Sequence, residues 1–342
     1  MKRLLIIVFP LILGACSLID DDLKACGDEL VIEYQVQLHT ELDMQLQTEL
    51  STEIEGPVRQ TLKRWLEPIF SDVAKDVDFR FYLSDTDSLR HRIQKEINGN
   101  HATYTIRLPK ENYMHLAVAN MAEDRQVQFS DGEQSATAVL HLPEDRDIQS
   151  LRTGIYTARL PMTMNDTIKH FDVQMYMVTA AVSLVIDTTA CVNLRDMDGY
   201  MLGAANSFYI SDSVFEYERP CVILLERVPV ENQANHIAPR AKQLKSEEPL
   251  PITCLGTVGF PTEENDTTGW NLVVTATLIE NKHTTTTLTI KDPLEAGTLR
   301  IIKCAMDENG ALDPNPNTEN YHEVGATVEF DWKPGDNHDV DL

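Results

Sequence analysis

From Leu30 the chain alternates strictly: Leu30, Ile32, Tyr34, Val36 and Leu38 fall on one side, and Glu33, Gln35, Gln37 and His39 on the other. Successive strand side chains point to opposite faces, so this pattern predicts a strand with one buried face. The period then changes. Val58, Leu62, Trp65, Leu66, Ile69, Phe70 and Val73 recur at spacings of three and four just after Pro57, which predicts an amphipathic helix, bent or shortened by Pro68. Alternation returns with Val77, Phe79, Phe81 and Leu83, then with Ala102, Tyr104, Ile106 and Leu108, and again in residues 113–121, 137–142 and 155–160.

A loop containing Pro161, Asn165 and Asp166 interrupts the strands, and a domain boundary is expected there. Beyond it come Phe171, Val173, Met175 and Met177, then Val182, Leu184 and Ile186, with further strands expected at 207–210, 222–225, 272–278, 284–290 and 299–306. Residues 231–251 hold Pro239 and Pro249 and read as a long surface loop. The cleanest alternation is the last: Val324, Ala326, Val328, Phe330 and Trp332 against Thr327, Glu329 and Asp331, followed by a Pro334-Gly335 turn. The expected fold is mainly β: two antiparallel β-sandwich domains, residues 29–165 and 166–342, with one helix in the first.

Length and composition agree with this picture. A chain of 342 residues exceeds one typical core, and 42% hydrophobic residues suffice for two. The charge narrows the partners. With 54 acidic against 29 basic side chains the net charge is −25, a field that repels nucleic acid and anionic lipid alike. Membrane contact then requires a covalent or hydrophobic anchor.

The N-terminus supplies one. Lys2 and Arg3 precede the apolar residues 4–13, and Gly14 and Ala15 lead into Cys16, so residues 1–15 read as a secretory signal peptide. The run is shorter than the roughly 20 residues that a membrane-spanning helix needs. Leu13-Gly14-Ala15-Cys16 resembles the lipobox of bacterial lipoproteins, in which the cysteine is acylated and becomes the first residue. Each buried methylene of such chains contributes about 0.8 kcal/mol. Residues 16–28 then form an acidic tether, in which Asp20, Asp21 and Asp22 resemble a surface-export signal. Besides Cys16 there are five cysteines, Cys26, Cys191, Cys221, Cys254 and Cys304, an odd number with no zinc-like spacing and no pairing that sequence can assign.

No catalytic motif, nucleotide loop or metal-binding helix occurs, so no catalytic residue, metal or cofactor is expected. His322 beside Glu323 and His338 beside Asp339 read as loop residues, and Asp307, Glu308 and Asn309 as a hairpin turn ending at Gly310 in preference to a calcium loop. Trp65 and Trp332 lie in phase with apolar faces and read as core; Trp270 is left as a possible sugar platform. Five stretches run Asp, then Ser or Thr, then an apolar residue or Thr: Asp87-Ser88-Leu89, Asp166-Thr167-Ile168, Asp187-Thr188-Thr189, Asp212-Ser213-Val214 and Asp266-Thr267-Thr268. They resemble an O-glycosylation acceptor pattern of some exported bacterial proteins.

The acidic stretch from Cys16 to Cys26, running into the strand at 30–38, is similar to the start of the FimB-type fimbrial anchor subunits of type V pili. Glu111-Asn-Tyr-Met-His-Leu-Ala-Val-Ala119, residues 171–186, and residues 324–342 with Phe330-Asp-Trp-Lys-Pro-Gly335 fit the same layout. The resemblance implies two transthyretin-like sandwiches and a protein that anchors a fimbria to the outer membrane and limits its length. Its implied partners are a fimbrial stalk subunit, the outer membrane through acyl chains, and a host or bacterial surface ligand reached through the fimbria. It also implies strand complementation, a form of β-augmentation. Stalk subunits of the family lose their first strand by cleavage after an arginine, whereas residues 16–58 here contain none. The first strand is therefore expected to stay, with Val324, Ala326, Val328, Phe330 and Trp332 as the candidate strand offered to a partner, an ordinary internal edge strand being the alternative. The rival expectation is a glycan-binding surface lipoprotein without catalytic activity.

Overall fold

A computed structural model describes residues 29–40, 56–96, 103–122, 124–144, 147–219, 221–229, 252–264, 269–314 and 323–331. Its first elements are β1 (Glu29–His39), α1 (Gly56–Leu66), β2 (Asp76–Leu83), β3 (Leu89–Glu96), β4 (Thr103–Pro109), β5 (Asn112–Ala119), β6 (Gln128–Ser130), β7 (Val139–His141), β8 (Tyr156–Thr163) and β9 (His170–Met177). Then come β10 (Ala180–Asp187), β11 (Leu194–Ala204), β12 (Ser207–Tyr209), β13 (Val214–Glu216), β14 (Cys221–Leu224) and β15 (Glu226–Val228). The last are β16 (Ile252–Gly259), β17 (Trp270–Leu278), β18 (His283–Ile290), β19 (Leu299–Met306), β20 (Leu312–Asp313) and β21 (Val324–Asp331). The chain is mainly β, in largely antiparallel sheets, as the alternation predicts.

Seven strands form the first sheet, in the order β3-β2-β5-β8-β9-β1-β4. The sheet folds over at a corner, because β8 and β9 pair only at Tyr156–Met177 and Thr157–Tyr176. Past that corner the two layers face each other: the Phe79 ring of β2 lies 4.7 Å from Tyr34 of β1 and 5.5 Å from Tyr104 of β4. Pro161 is accommodated within β8 because past Thr157 that strand has a neighbour on one side only, β5. The helix is shorter than its apolar periodicity. It stops at Leu66, ahead of Pro68, as the restriction on residues preceding proline requires, and buries Val58, Leu62 and Leu66.

Two five-stranded sheets, β15-β16-β10-β19-β20 and β14-β11-β17-β18-β21, face each other in the second half. They repeat one arrangement of the first. There β1 lies between antiparallel β4 and parallel β9; here β10 lies between antiparallel β16 and parallel β19. A parallel pair cannot be closed by a tight hairpin, so each half is sealed by a long-range contact between its first strand and a late one.

The strand of Phe171, Val173, Met175 and Met177 is expected from sequence to open the second domain. It is β9, and it belongs to the first sheet, with Phe171 opposite Tyr34 and Val173 opposite Val36. The change of sheet therefore follows Met177, not Asn165. Alternation reports that a strand has a buried face, not which sheet supplies its neighbour. β3 and β11 also escape the sequence pattern: β3 has only Leu89 and Ile93 as apolar residues, and β11 carries Asp196, Asp198 and Gly199. The expected loop at 231–251 lies outside the described residues.

The halves are joined by more than a linker. A four-stranded sheet, β13-β12-β7-β6, takes β6 and β7 from the first half and β12 and β13 from the second, with Phe208 opposite Leu140. Ile148 N–H donates to the Val222 carbonyl at 2.9 Å, and Leu151 N–H to that of Val258 at 3.0 Å. The Trp65 ring of α1 lies on Gly256 of β16, where an added Cβ would fall 2.4 Å from it, and Trp65 Nε1–H donates to Glu226 Oε1 at 2.8 Å. Gly256 is thus the bare backbone that lets helix and sheet meet. Gly256→Val is expected to destabilise the protein by about 1–3 kcal/mol in denaturant unfolding, through overpacking. Adding Trp65→Ala should cost less in that background than in the wild type, since the clash is then absent.

Candidate functional site: a filled strand slot and an open sheet edge

β1 fills the slot between β4 and β9. Its inward residues Ile32, Tyr34, Val36 and Leu38 are all buried, which matches the alternation read from sequence. Among them the Tyr34 hydroxyl needs a partner, and His115 of β5 provides it. His115 Nδ1 lies 3.0 Å from the Arg80 carbonyl, which can only accept, so Nδ1 carries the ring proton. Nε2 is then the acceptor, and Tyr34 donates to it. The imidazole stacks on Phe81 at 4.4 Å between centroids. Full burial pushes its pKa down from 6.5 to about 4, and burial likewise raises that of Tyr34, so the pair is neutral.

Among the described residues β21 is the last strand of its sheet, paired with β18. Directly opposed residues of an antiparallel pair share a face. Val324, Ala326, Val328 and Phe330 oppose Ile290, Leu288, Thr286 and Thr284, which are buried. Their own burial differs: Val324 is buried, Ala326 is exposed, Val328 is half-buried and Phe330 is 50% exposed. The facing sheet ends in the two-residue strand β20, so β21 overhangs it. The strand that reads most cleanly as core is thus exposed at Ala326 and Phe330, and among the described residues no strand pairs with its outer edge. Trp332, which continues the alternation, lies outside the described residues, as do Cys16, Asp20, Asp21, Asp22 and Cys26.

Sequence reading missed a polar cleft beside β2. Asp78 accepts from Arg80 Nη2 at 3.0 Å, Arg92 Nη2 at 2.7 Å and Gln94 Nε2 at 3.4 Å. The Arg80 guanidinium also stacks 3.6 Å above the Phe129 ring. These residues, with Asp76, Lys95 and Met121, line a cavity of about 740 Å³. The signal was present in the polar phase of β2, Asp76, Asp78 and Arg80, which alternates with Val77, Phe79 and Phe81.

Other candidates resolve individually. Trp270 is buried and donates from Nε1 to the Asp292 carbonyl at 2.8 Å, so its ring is core and not a sugar platform. Asp307 Oδ1 accepts from the backbone of Asn309 and Ala311 at 2.9 and 2.8 Å, and Gly310 has φ +82°, which makes the stretch a hairpin turn. Cys191, Cys221, Cys254 and Cys304 are free and buried. Burial raises the pKa of each, that of Cys221 to about 11 and of Cys254 to about 12. Among the described residues no group of three or more His, Cys, Asp or Glu could hold a metal ion, and no helix is long and apolar enough to cross a membrane.

No family model and no curated protein matches the sequence. Solved structures do match in fold. A candidate adhesin from Bacteroides thetaiotaomicron superposes with a TM-score of 0.50 at 9% identity, over 86% of this chain and 95% of that one. A candidate polysaccharide-binding protein from the same species gives 0.47 at 10% identity, over 82% and 93%. The fimbrial anchor protein Mfa2 from Porphyromonas gingivalis gives 0.41 at 12% identity, over 72% and 78%. At these identities the likeness is one of fold, and the first of the three carries it.

The Tyr34–His115 pair makes two linked expectations. Tyr34→Phe leaves Nε2 buried without a donor and should lower the unfolding free energy by about 1–3 kcal/mol at pH 7.5. Because the folded pKa of His115 lies below its unfolded value, the unfolded chain takes up the proton first as pH falls. Stability from this group is complete above pH 6.5 and declines toward pH 4, by about 2 kcal/mol between pH 7.5 and 5. Ring NMR signals of His115 should accordingly stay those of neutral imidazole at pH 5; a midpoint near 6.5 would contradict the assignment.

Proposed function

We propose that this chain is a lipid-anchored outer-membrane subunit, exposed at the cell surface, that holds a fimbria there and ends its assembly. In this reading Cys16 carries the acyl chains, Asp20, Asp21 and Asp22 direct surface export, and residues 16–28 tether the body. The strand order supports dividing that body after Met177. No catalytic step or cofactor enters.

The observation that carries the reading is the filled slot. A subunit that accepts a neighbour's strand must have a vacancy, and here the chain's own β1 occupies the place, with four apolar or aromatic side chains buried and Tyr34 bonded to His115. Residues 16–58 hold no arginine at which that strand could be released. Such a chain stands at the end of a polymer. What it offers a stalk subunit is β21, which among the described residues lies at the edge of its sheet, where main-chain groups can pair, and which carries the exposed Ala326 on its apolar side. The fold shared with the Bacteroides thetaiotaomicron candidate adhesin is compatible with this role.

Removing residues 327–342 should abolish co-purification of the lipoprotein with polymeric fimbriae, while the protein stays folded and displayed. Unchanged co-purification counts against β21 as the attachment strand. Cys16→Ala should instead release fimbriae with the subunit still attached, so loss of tether and loss of attachment are told apart.

A second reading, glycan binding, has one observation in its favour: the cleft in which Arg80 stacks on Phe129 above the Asp78–Arg92 pair. It predicts a rise of Tm with an added acidic oligosaccharide that Phe129→Ala and Arg92→Ala both remove. No rise with any member of a glycan panel would retire it.

A further inference from the structure

We infer that the exported chain carries O-linked glycans on Ser88, Thr167 and Ser213. This goes beyond the anchoring role and does not depend on it. Four of the five Asp-Ser/Thr-apolar/Thr stretches fall within described residues, and the structure sorts them. Asp87-Ser88-Leu89 joins β2 to β3, Asp166-Thr167-Ile168 joins β8 to β9, and Asp212-Ser213-Val214 joins β12 to β13, each at the tip between antiparallel neighbours. All three hydroxyl-bearing residues are exposed.

Turn formation alone accounts for Asp, Ser and Thr at such tips. It does not account for the third residue. Leu89 is 37% and Val214 53% exposed, two of the eight large hydrophobic residues displayed on the described surface, and Ile168 is half-buried. The tips at Thr167 and Ser213 therefore present an exposed carboxylate beside the hydroxyl and an apolar side chain, which a docking enzyme can read without unfolding the protein, whereas at Ser88 the carboxylate of Asp87 is half-buried. The tips are also held in shape. Asp87, at φ 51°, accepts from Ser135 Oγ at 2.5 Å and Ala136 N–H at 2.8 Å; Asn165 Oδ1 accepts from Thr167 N–H at 3.0 Å; Lys110 Nζ pairs with Asp166 at 2.8 Å. Thr167 donates its hydroxyl proton to Asn165 Oδ1 at 2.5 Å.

Thr188 is set apart by the same criteria. It is half-buried, and its third residue, Thr189, is folded back onto Asp187 Oδ1 through both N–H and hydroxyl, at 2.9 and 2.5 Å. The proposal excludes it, and excludes Asp85-Thr86-Asp87, where the third side chain is charged. The reaction is a displacement at the anomeric carbon of an activated sugar phosphate, supplied with its transferase by the exporting cell. The Ser or Thr oxygen forms the new C–O bond, the bond from that carbon to the phosphate oxygen breaks, the phosphate leaves with the electron pair, and the hydroxyl proton passes to a base of the transferase.

The test uses the full chain isolated from the membranes of the bacterium that exports it, digested and sequenced by electron-transfer fragmentation. Peptides containing Ser88, Thr167 and Ser213 should each carry the same added saccharide mass. Asp166→Asn and Asp212→Asn keep the hydroxyl and its exposure but remove the carboxylate, and should abolish the added mass at Thr167 and Ser213 respectively while Ser88 keeps it. Unmodified peptides at all three positions overturn the proposal. So does saccharide that persists in the Asn variants, since exposure alone would then explain it.

Discussion

The parallel pairing of β1 with β9 is the contact on which the first half depends. Without β1, β9 and β4 have no common neighbour, and the inner layer of the folded-over sheet is split. Full burial of a large apolar side chain contributes about 1.5–3 kcal/mol, so the inward residues of β1 together amount to something on the order of 10 kcal/mol. That is as large as the whole stability of a typical domain. A strand held so firmly is not exchanged spontaneously, and the neutral Tyr34–His115 pair adds a condition of register. Sliding β1 by one residue would turn Tyr34 away and leave His115 without its donor.

The second dependence is mechanical. The sheet β13-β12-β7-β6 draws strands from both halves, and α1 lies across the boundary with Trp65 on Gly256. Interdomain contacts that amount to a shared sheet leave no hinge of the kind that a flexible linker provides. The two sandwiches are therefore repeats in topology and one body in packing.

How much of this was legible in the sequence follows from what periodicity encodes. β1 and the helix appear where their patterns put them, because each hides one face against a core. That β9 joins the first sheet was not legible, since its alternation is the same whichever sheet it joins, and its partner β1 is far away in sequence. β3, a mostly exposed edge strand, has only Leu89 and Ile93 to mark a face. β21 misleads in the opposite sense: it alternates like a core strand, yet of its described apolar residues only Val324 is buried. The polar phase of β2 marks Asp78 and Arg80, but that Phe129 of β6 and Arg92 of β3 join them depends on strand neighbours that no single strand encodes.

The cysteines show how the fold manages without a covalent staple among its described residues. Cys254 lies opposite Val185 and Cys304 opposite Ile186, adjacent positions on β10. Adjacent strand residues face opposite sides of a sheet, so the two thiols point away from each other although their strands share a neighbour. Bridging them would require moving the backbone of the most buried sheet in the second half. Burial also keeps each thiol protonated, and the thiol form is the unreactive one. An oxidising compartment therefore exerts little pull on these residues, and what holds the second half together is the packing of two five-stranded sheets.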